Sequence, residues 1–228
     1  SALRPELIKE LLFSTHLRPK VPAELIRILD RKLKRTAEGY APGSGQELLD
    51  WLKERLLIPE PEWKELASAI RRDHDEDAAG WLESNAKKLL WVEWKGTKHP
   101  LLASVEVLPR VLAGFRFHLD DLKLYPAERG EDKEGLRRRV QKFVVSFHPS
   151  SRRGEGAGEG AAQEDYNLSD FLSSWLAYYG PIEKGRVQEL LGILPEQLEE
   201  AIEPLIEARE LVMDRFGEES SALEVCDS

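Results

Sequence analysis

Leu48-Leu49-Asp50-Trp51-Leu52, running on to the turn Ile58-Pro59, has a counterpart 124 positions later in Leu172-Ser173-Ser174-Trp175-Leu176, which runs on to Ile182. The same shift lays Leu48 on Leu172, Trp51 on Trp175, Leu52 on Leu176, Ile58 on Ile182 and Leu66 on Leu190. Large apolar residues recurring at a fixed offset mark a duplicated structural unit.

The first copy continues with a helix carrying Trp63, Leu66 and Ile70. A third helix follows the Asp73 to Asp77 cluster and carries Ala78, Leu82 and Ala86. The apolar run Leu89 to Trp94, the tip Lys95-Gly96-Thr97-Lys98 and the returning strand Leu101 to Val107 read as a hairpin, passing into a helix that ends near Gly114. In the second copy the order is helix Phe171 to Tyr179, turn Gly180-Pro181, helix Lys184 to Leu191 and helix Pro195 to Ala208. Strand Leu211 to Phe216, turn Gly217 to Ser220 and strand Ala222 to Cys226 close it. With the shift reduced to 120, Ala78, Leu82 and Ala86 fall on Leu198, Ile202 and Ile206. Three helices and a two-stranded hairpin make a winged helix. The expected fold is therefore mainly α with small β-hairpins (α+β): two tandem winged-helix modules plus an N-terminal helical segment.

The boundaries follow from composition. Residues 1–45 form the N-terminal helical segment, with Leu7, Ile8, Leu11 and Leu12 on one helix and Leu25, Ile26, Leu29 and Leu33 on the next, separated near Pro19 to Pro22. The helix breakers of Gly39 to Gly45 end it. Residues 46–119 are the first module, 120–167 a basic and Gly-rich connector, and 168–228 the second module. The connector holds Arg137-Arg138-Arg139, the alternating run Phe143 to Phe147 and the low-complexity piece Gly154 to Gly160. Such a piece has too little apolar surface to offset its ordering entropy, so it is expected to be a mobile loop or linker.

The 228 residues are 41% hydrophobic and 33% charged, in the range of a chain that buries a core. No apolar run approaches the ~18–20 residues of a membrane span, and no secretory leader is visible, so the expectation is a soluble, cytoplasmic protein with no membrane partner. Cys226 is the single cysteine, which excludes an internal disulfide and a cysteine-rich zinc site. The one methionine is Met213, so the chain has no initiator and reads as a piece of something longer.

Charge is divided unevenly. Residues 1–45 carry nine basic against five acidic residues, whereas 164–228 carry four against sixteen, a local balance of −12 in a chain of net −9. A polyanion is repelled from the C-terminal module and tolerated only near the basic stretches. Those stretches supply the candidate nucleic-acid contacts. Arg31, Lys32, Lys34 and Arg35 close a helix, where positive charge equally suits the helix dipole. Lys87 and Lys88 lie late in the first module's third helix, and Lys95 and Lys98 at its hairpin tip, where a wing would touch a phosphate or simply turn at the surface. Arg137, Arg138, Arg139 and Lys142 form the densest basic run, alternatively a solvated face beside Glu131, Asp132 and Glu134. The third helix of the second module carries Glu196, Glu199, Glu200, Glu203 and Glu207, which argues against insertion into a nucleic-acid groove.

No catalytic residue is nominated. Asp75-Glu76-Asp77-Ala78 has the spelling of the acidic magnesium box of helicase motors, but it follows Arg71-Arg72-Asp73-His74 rather than a buried strand and reads as an acidic helix start. A phosphate loop needs Gly-Lys-Ser/Thr, and no Gly-Lys pair occurs. The five histidines lack the spacing of a helical metal pair, so no metal ligand is nominated.

Phe171-Leu172, Tyr179-Gly180-Pro181-Ile182, Glu189-Leu190-Leu191-Gly192, Leu211-Val212 and Glu224-Val225-Cys226-Asp227 look like the winged helix that follows the motor in large helicase-related (Lhr) proteins. Leu7-Ile8-Lys9-Glu10-Leu11-Leu12, Pro22-Ala23-Glu24 and Asp77-Ala78-Ala79-Gly80-Trp81-Leu82 are similar to the region just upstream in that family. The resemblance covers residues 1 to about 114 and 168–228; residues 120–165 depart from it. It implies a parent that is a superfamily 2 DEAD/DEAH-box, ATP-dependent DNA helicase, with this piece as accessory structure behind the two motor lobes. ATP and magnesium would then belong to the parent motor, with no cofactor in this fragment, and the partners would be the motor lobes of the same polypeptide and DNA. Related tandem winged-helix DNA glycosylases carry a Gln-x-Gln or Gln-x-Asp pair, the second spelling matched by Gln163-Glu164-Asp165, which sits in the connector. The rival expectations are a protein-interaction scaffold acting through the acidic module and a stand-alone winged-helix regulator.

Overall fold

The computed structural model describes residues 20–74, 77–127, 132–146, 166–216 and 223–227. The first expected helix, Asp75-Glu76, Phe147, the Gly154 to Gly160 piece, Gln163-Glu164-Asp165 and the turn Gly217 to Ser220 lie outside the described residues. The first unit consists of α2 (Gly45–Arg55), β1 (Ile58–Pro59), α3 (Glu60–His74), α4 (Asp77–Ala86), β2 (Leu89–Glu93) and β3 (Leu101–Ser104), preceded by α1 (Ala23–Leu33). After it come α5 (Leu108–Phe115), β4 (Lys123–Pro126) and α6 (Lys133–Ser146). The second unit is α7 (Leu168–Leu176), β5 (Ile182–Glu183), α8 (Lys184–Leu191), α9 (Pro195–Glu207), β6 (Leu211–Asp214) and β7 (Glu224–Asp227). Both units thus run helix, short strand, helix, helix, strand, strand. The fold class is α+β, mainly helical with two small antiparallel sheets, ordered β1-β3-β2-β4 and β5-β7-β6.

Local chemistry starts the equivalent first helices in the same way. Ser44 Oγ accepts from Glu47 N (3.1 Å) at the head of α2, while Glu47 accepts from Gly43 N (2.8 Å). At the head of α7, Asn167 Oδ1 accepts from Ser169 N (2.7 Å) and the Asp170 carboxylate accepts from Asn167 N (2.8 Å). Side-chain caps of this kind satisfy amides that the first helical turn leaves without partners.

The register of the first sheet organises the molecule. Trp91 stands opposite Leu102 and Leu90 opposite Ala103, so successive residues alternate between two faces. Leu89 and Leu102 join Leu48, Trp51, Leu52, Leu66 and Ile70 in one core beneath α2, α3 and α4. Leu90, Val92, Leu101 and Ala103 join a second core that continues without interruption into Phe171, Leu172, Trp175 and Leu176 of the second unit. Every residue of β3 is buried. The first hairpin is a middle layer between the two units, which alternation in a free hairpin would not produce.

Part of the connector belongs to this layer. β4 pairs with β2, Tyr125 opposite Trp91, and Leu136 and Val140 of α6 are fully buried in the shared core. Each fully buried aliphatic side chain contributes about 1.5–3 kcal/mol, which fastens α6 to the first unit. The returning strand ends at Ser104, whose hydroxyl accepts from Glu106 N (3.4 Å) and opens the turn into α5.

Candidate nucleic-acid interface

The basic groups named from the sequence divide by what surrounds them. At the end of α1, Lys34 Nζ lies 2.7 Å from Asp30 and 3.7 Å from Glu62, and 4.8 Å above the Tyr179 ring. Arg35, with φ of 56°, is ion-paired to Glu47. These two side chains tie α1 to both units. Arg31 and Lys32 are exposed, with Lys32 stacked over Tyr40 (5.2 Å).

The hairpin tip is also engaged. Lys98 donates its amide to the Glu189 carbonyl (3.0 Å) and its ammonium to the Glu189 carboxylate (2.7 Å). The Lys98 hydrogen bond and charge, followed by Arg186, hold the Glu189 carboxyl below its ordinary pKa. Behind the tip, Trp94 Nε1 donates to the Leu191 carbonyl (2.8 Å). Gly96 and Gly192, both at positive φ, meet so closely that a Cβ on Gly192 would stand 2.7 Å from the Gly96 carbonyl carbon. The tip is docked on the second unit, and of its two lysines only Lys95 points at no described acid.

The connector cations behave differently. Arg137 pairs with Asp120. Arg139 donates to the Lys87 carbonyl, which brings α6 against the turn after α4. Two runs separated by about fifty residues thereby become neighbours: Lys87 and Lys88 on one element, Arg138 and Arg139 on the other, with exposed Lys142 one turn further along α6. On α9 the exposed face carries Glu196, Glu199, Glu200, Glu203 and Glu207, with Leu198, Ala201, Ile202 and Leu205 turned to the core. Among the described residues Lys184 is ion-paired to one of these, Glu199.

Sequence reasoning missed the most buried ionic group among the described residues. Arg55 is 1% exposed, ion-paired to Glu62 and donating to Tyr179 Oη (3.0 Å), while Tyr179 Oη lies 3.0 Å from Glu62. Burial alone would lower the Arg55 pKa, but Tyr179 and Glu62 hold it above its ordinary value, so the guanidinium stays charged. Burial pushes the Tyr179 hydroxyl well up. The signal was present: an arginine placed directly before Leu56-Leu57-Ile58, at the position of Tyr179 in the other copy. Among the described residues no group of three or more His, Cys, Asp or Glu could hold a metal ion, and no helix is long and apolar enough to cross a membrane.

No protein-family model matches this chain, and neither a curated protein nor a solved structure matches it.

Proposed function

We propose that both units are winged helices and that the chain is the non-catalytic accessory region of an ATP-dependent DNA helicase, positioning the motor lobes of its own polypeptide and weakly contacting the DNA backbone. The observation that carries the backbone contact is the ledge where α6 meets the turn after α4: Arg139 donates to the Lys87 carbonyl, and the adjacent Lys88 and Arg138 are exposed. The helicase parentage rests on the Lhr-like wording of both copies. The shared core supports the positioning role, since a spacer between motor parts must hold its two halves at a fixed distance.

The test is salt-titrated binding of single-stranded and duplex DNA to the whole chain. On a single strand each phosphate neutralised contributes about −0.7 to the slope of log K against log salt, so a measurable negative slope is expected. Reversing Lys88 and Arg138 to glutamate should flatten that slope by more than one and weaken all sequences alike. Absence of binding at ~20 mM salt, or triphosphate turnover by the purified chain, would overturn the proposal.

A protein-interaction scaffold is the second reading, favoured by the exposed glutamate row of α9. It takes precedence if DNA binding is absent at low salt.

A further inference from the structure

Between α3, α4 and the sheet lies a cleft of about 650 Å³, within the ~300–1,000 Å³ of small-ligand sites. Trp63, Ala67 and Arg71 line it from α3, at the four-residue spacing that puts side chains in one stripe of a helix. Trp91 lines it from β2 and Leu82 from α4. Trp63, Leu82 and Trp91 all remain half-buried although they pack against the first core, so the cleft is an unfilled entry into that core with an indole on each of two elements. Ala86, one of the lining residues, is followed directly by Lys87 and Lys88, and Arg139 of α6 reaches the Lys87 carbonyl. The aromatic-lined cleft and the basic ledge thus adjoin in the chain at Ala86-Lys87.

We propose that this cleft receives an unstacked base of single-stranded DNA while the flanking phosphates lie on the ledge, an assignment that rests on the backbone contact proposed above. A base has two flat apolar faces and a polar edge. The indoles of Trp63 and Trp91 suit the faces, and Arg71 and Glu83 at the lining offer a donor group and an acceptor group to the edge. Aromatic stacking beside a basic groove is how sequence-tolerant single-strand binding is generally built. Charge complementarity selects this occupant over an apolar peptide side chain, which would gain nothing from Lys87, Lys88, Arg138 and Arg139.

Fluorescence anisotropy with labelled oligonucleotides on the full chain tests it. A ten-nucleotide DNA strand, the same strand with abasic sites throughout, an RNA strand and a blunt duplex are compared at one salt concentration. The base-bearing DNA strand should bind roughly five- to a hundredfold tighter than the abasic one. Trp63→Ala should abolish that difference without changing abasic binding. Trp63 also supports the core, so Ala79→Phe, which fills the cleft from an exposed position, serves as the second variant and should have the same effect with an unchanged melting curve. Equal affinity for base-bearing and abasic strands overturns the proposal, leaves the backbone contact standing and frees the cleft for an apolar side chain of a protein partner. Tighter binding of RNA or duplex overturns the single-stranded DNA assignment. Loss of binding to every strand removes the backbone reading as well.

Discussion

Arg55 shows what a single buried charge demands. Its ion pair with Glu62 and its hydrogen bond to Tyr179 join α2, α3 and the second unit at one point, with Trp51 and Tyr179 rings 5.2 Å and 5.0 Å from the guanidinium carbon. Removing one partner leaves the other charge buried, so Glu62→Ala should cost about 3–5 kcal/mol in a denaturant titration. The double variant Arg55→Met with Glu62→Leu should recover most of that loss, because the desolvation cost disappears with the charges. Additive losses in that cycle would show that the two side chains act independently. The hydroxyls give a second residue-scale expectation. Tyr179 is pushed well above 10 and Tyr166 up to about 12, both chiefly by burial. A raised folded-state pKa means that this stability is complete below the unfolded value near 10 and is lost as pH rises through the folded value. The melting temperature should fall between about pH 10 and 12, and Tyr166→Phe should blunt that fall.

At the scale of elements, the two copies meet at equivalent places. Arg55 contacts Tyr179 and Glu54 contacts Tyr178, each pair 124 residues apart, so the ends of α2 and α7 face one another. The tip after β2 makes the other half of the seam, against the turn that ends α8. Gly192 has φ of 61° there, and an added Cβ would lie 2.7 Å from the backbone of Gly96 and Thr97. Gly192→Ala should therefore cost about 2–4 kcal/mol, from a left-handed backbone with a side chain and from overpacking against an unyielding backbone. Hydrogen exchange should show the faster opening at residues 94–98 first. An alanine variant as stable as the parent would mean that the tip does not depend on this contact.

For the whole molecule, the second core runs from Leu56 through β2, β3 and α6 to Val225 without a gap. Units sharing one core cannot lose half of it without exposing the rest. Calorimetry should give a single transition, with the calorimetric enthalpy matching the van't Hoff enthalpy. Two resolved transitions would establish that the units fold separately.

The sequence by itself determined the elements: helical periodicity and the 124-residue offset are local or repeat properties, so both copies and their order could be read without a structure. It also determined the charge division, including the acidic row of α9. Only the tertiary structure decided what the hairpin tip touches, because Lys98 and Glu189 are 91 residues apart and no local rule links them. The same holds for α6, whose Leu136 and Val140 stand among charged neighbours and read as polar connector until a partner surface covers them. Periodicity tells which face of an element is apolar, whereas the choice of covering element depends on shape and register summed over the entire chain. The ledge and the Trp-lined cleft were hidden for that reason, since both arise where distant segments pack.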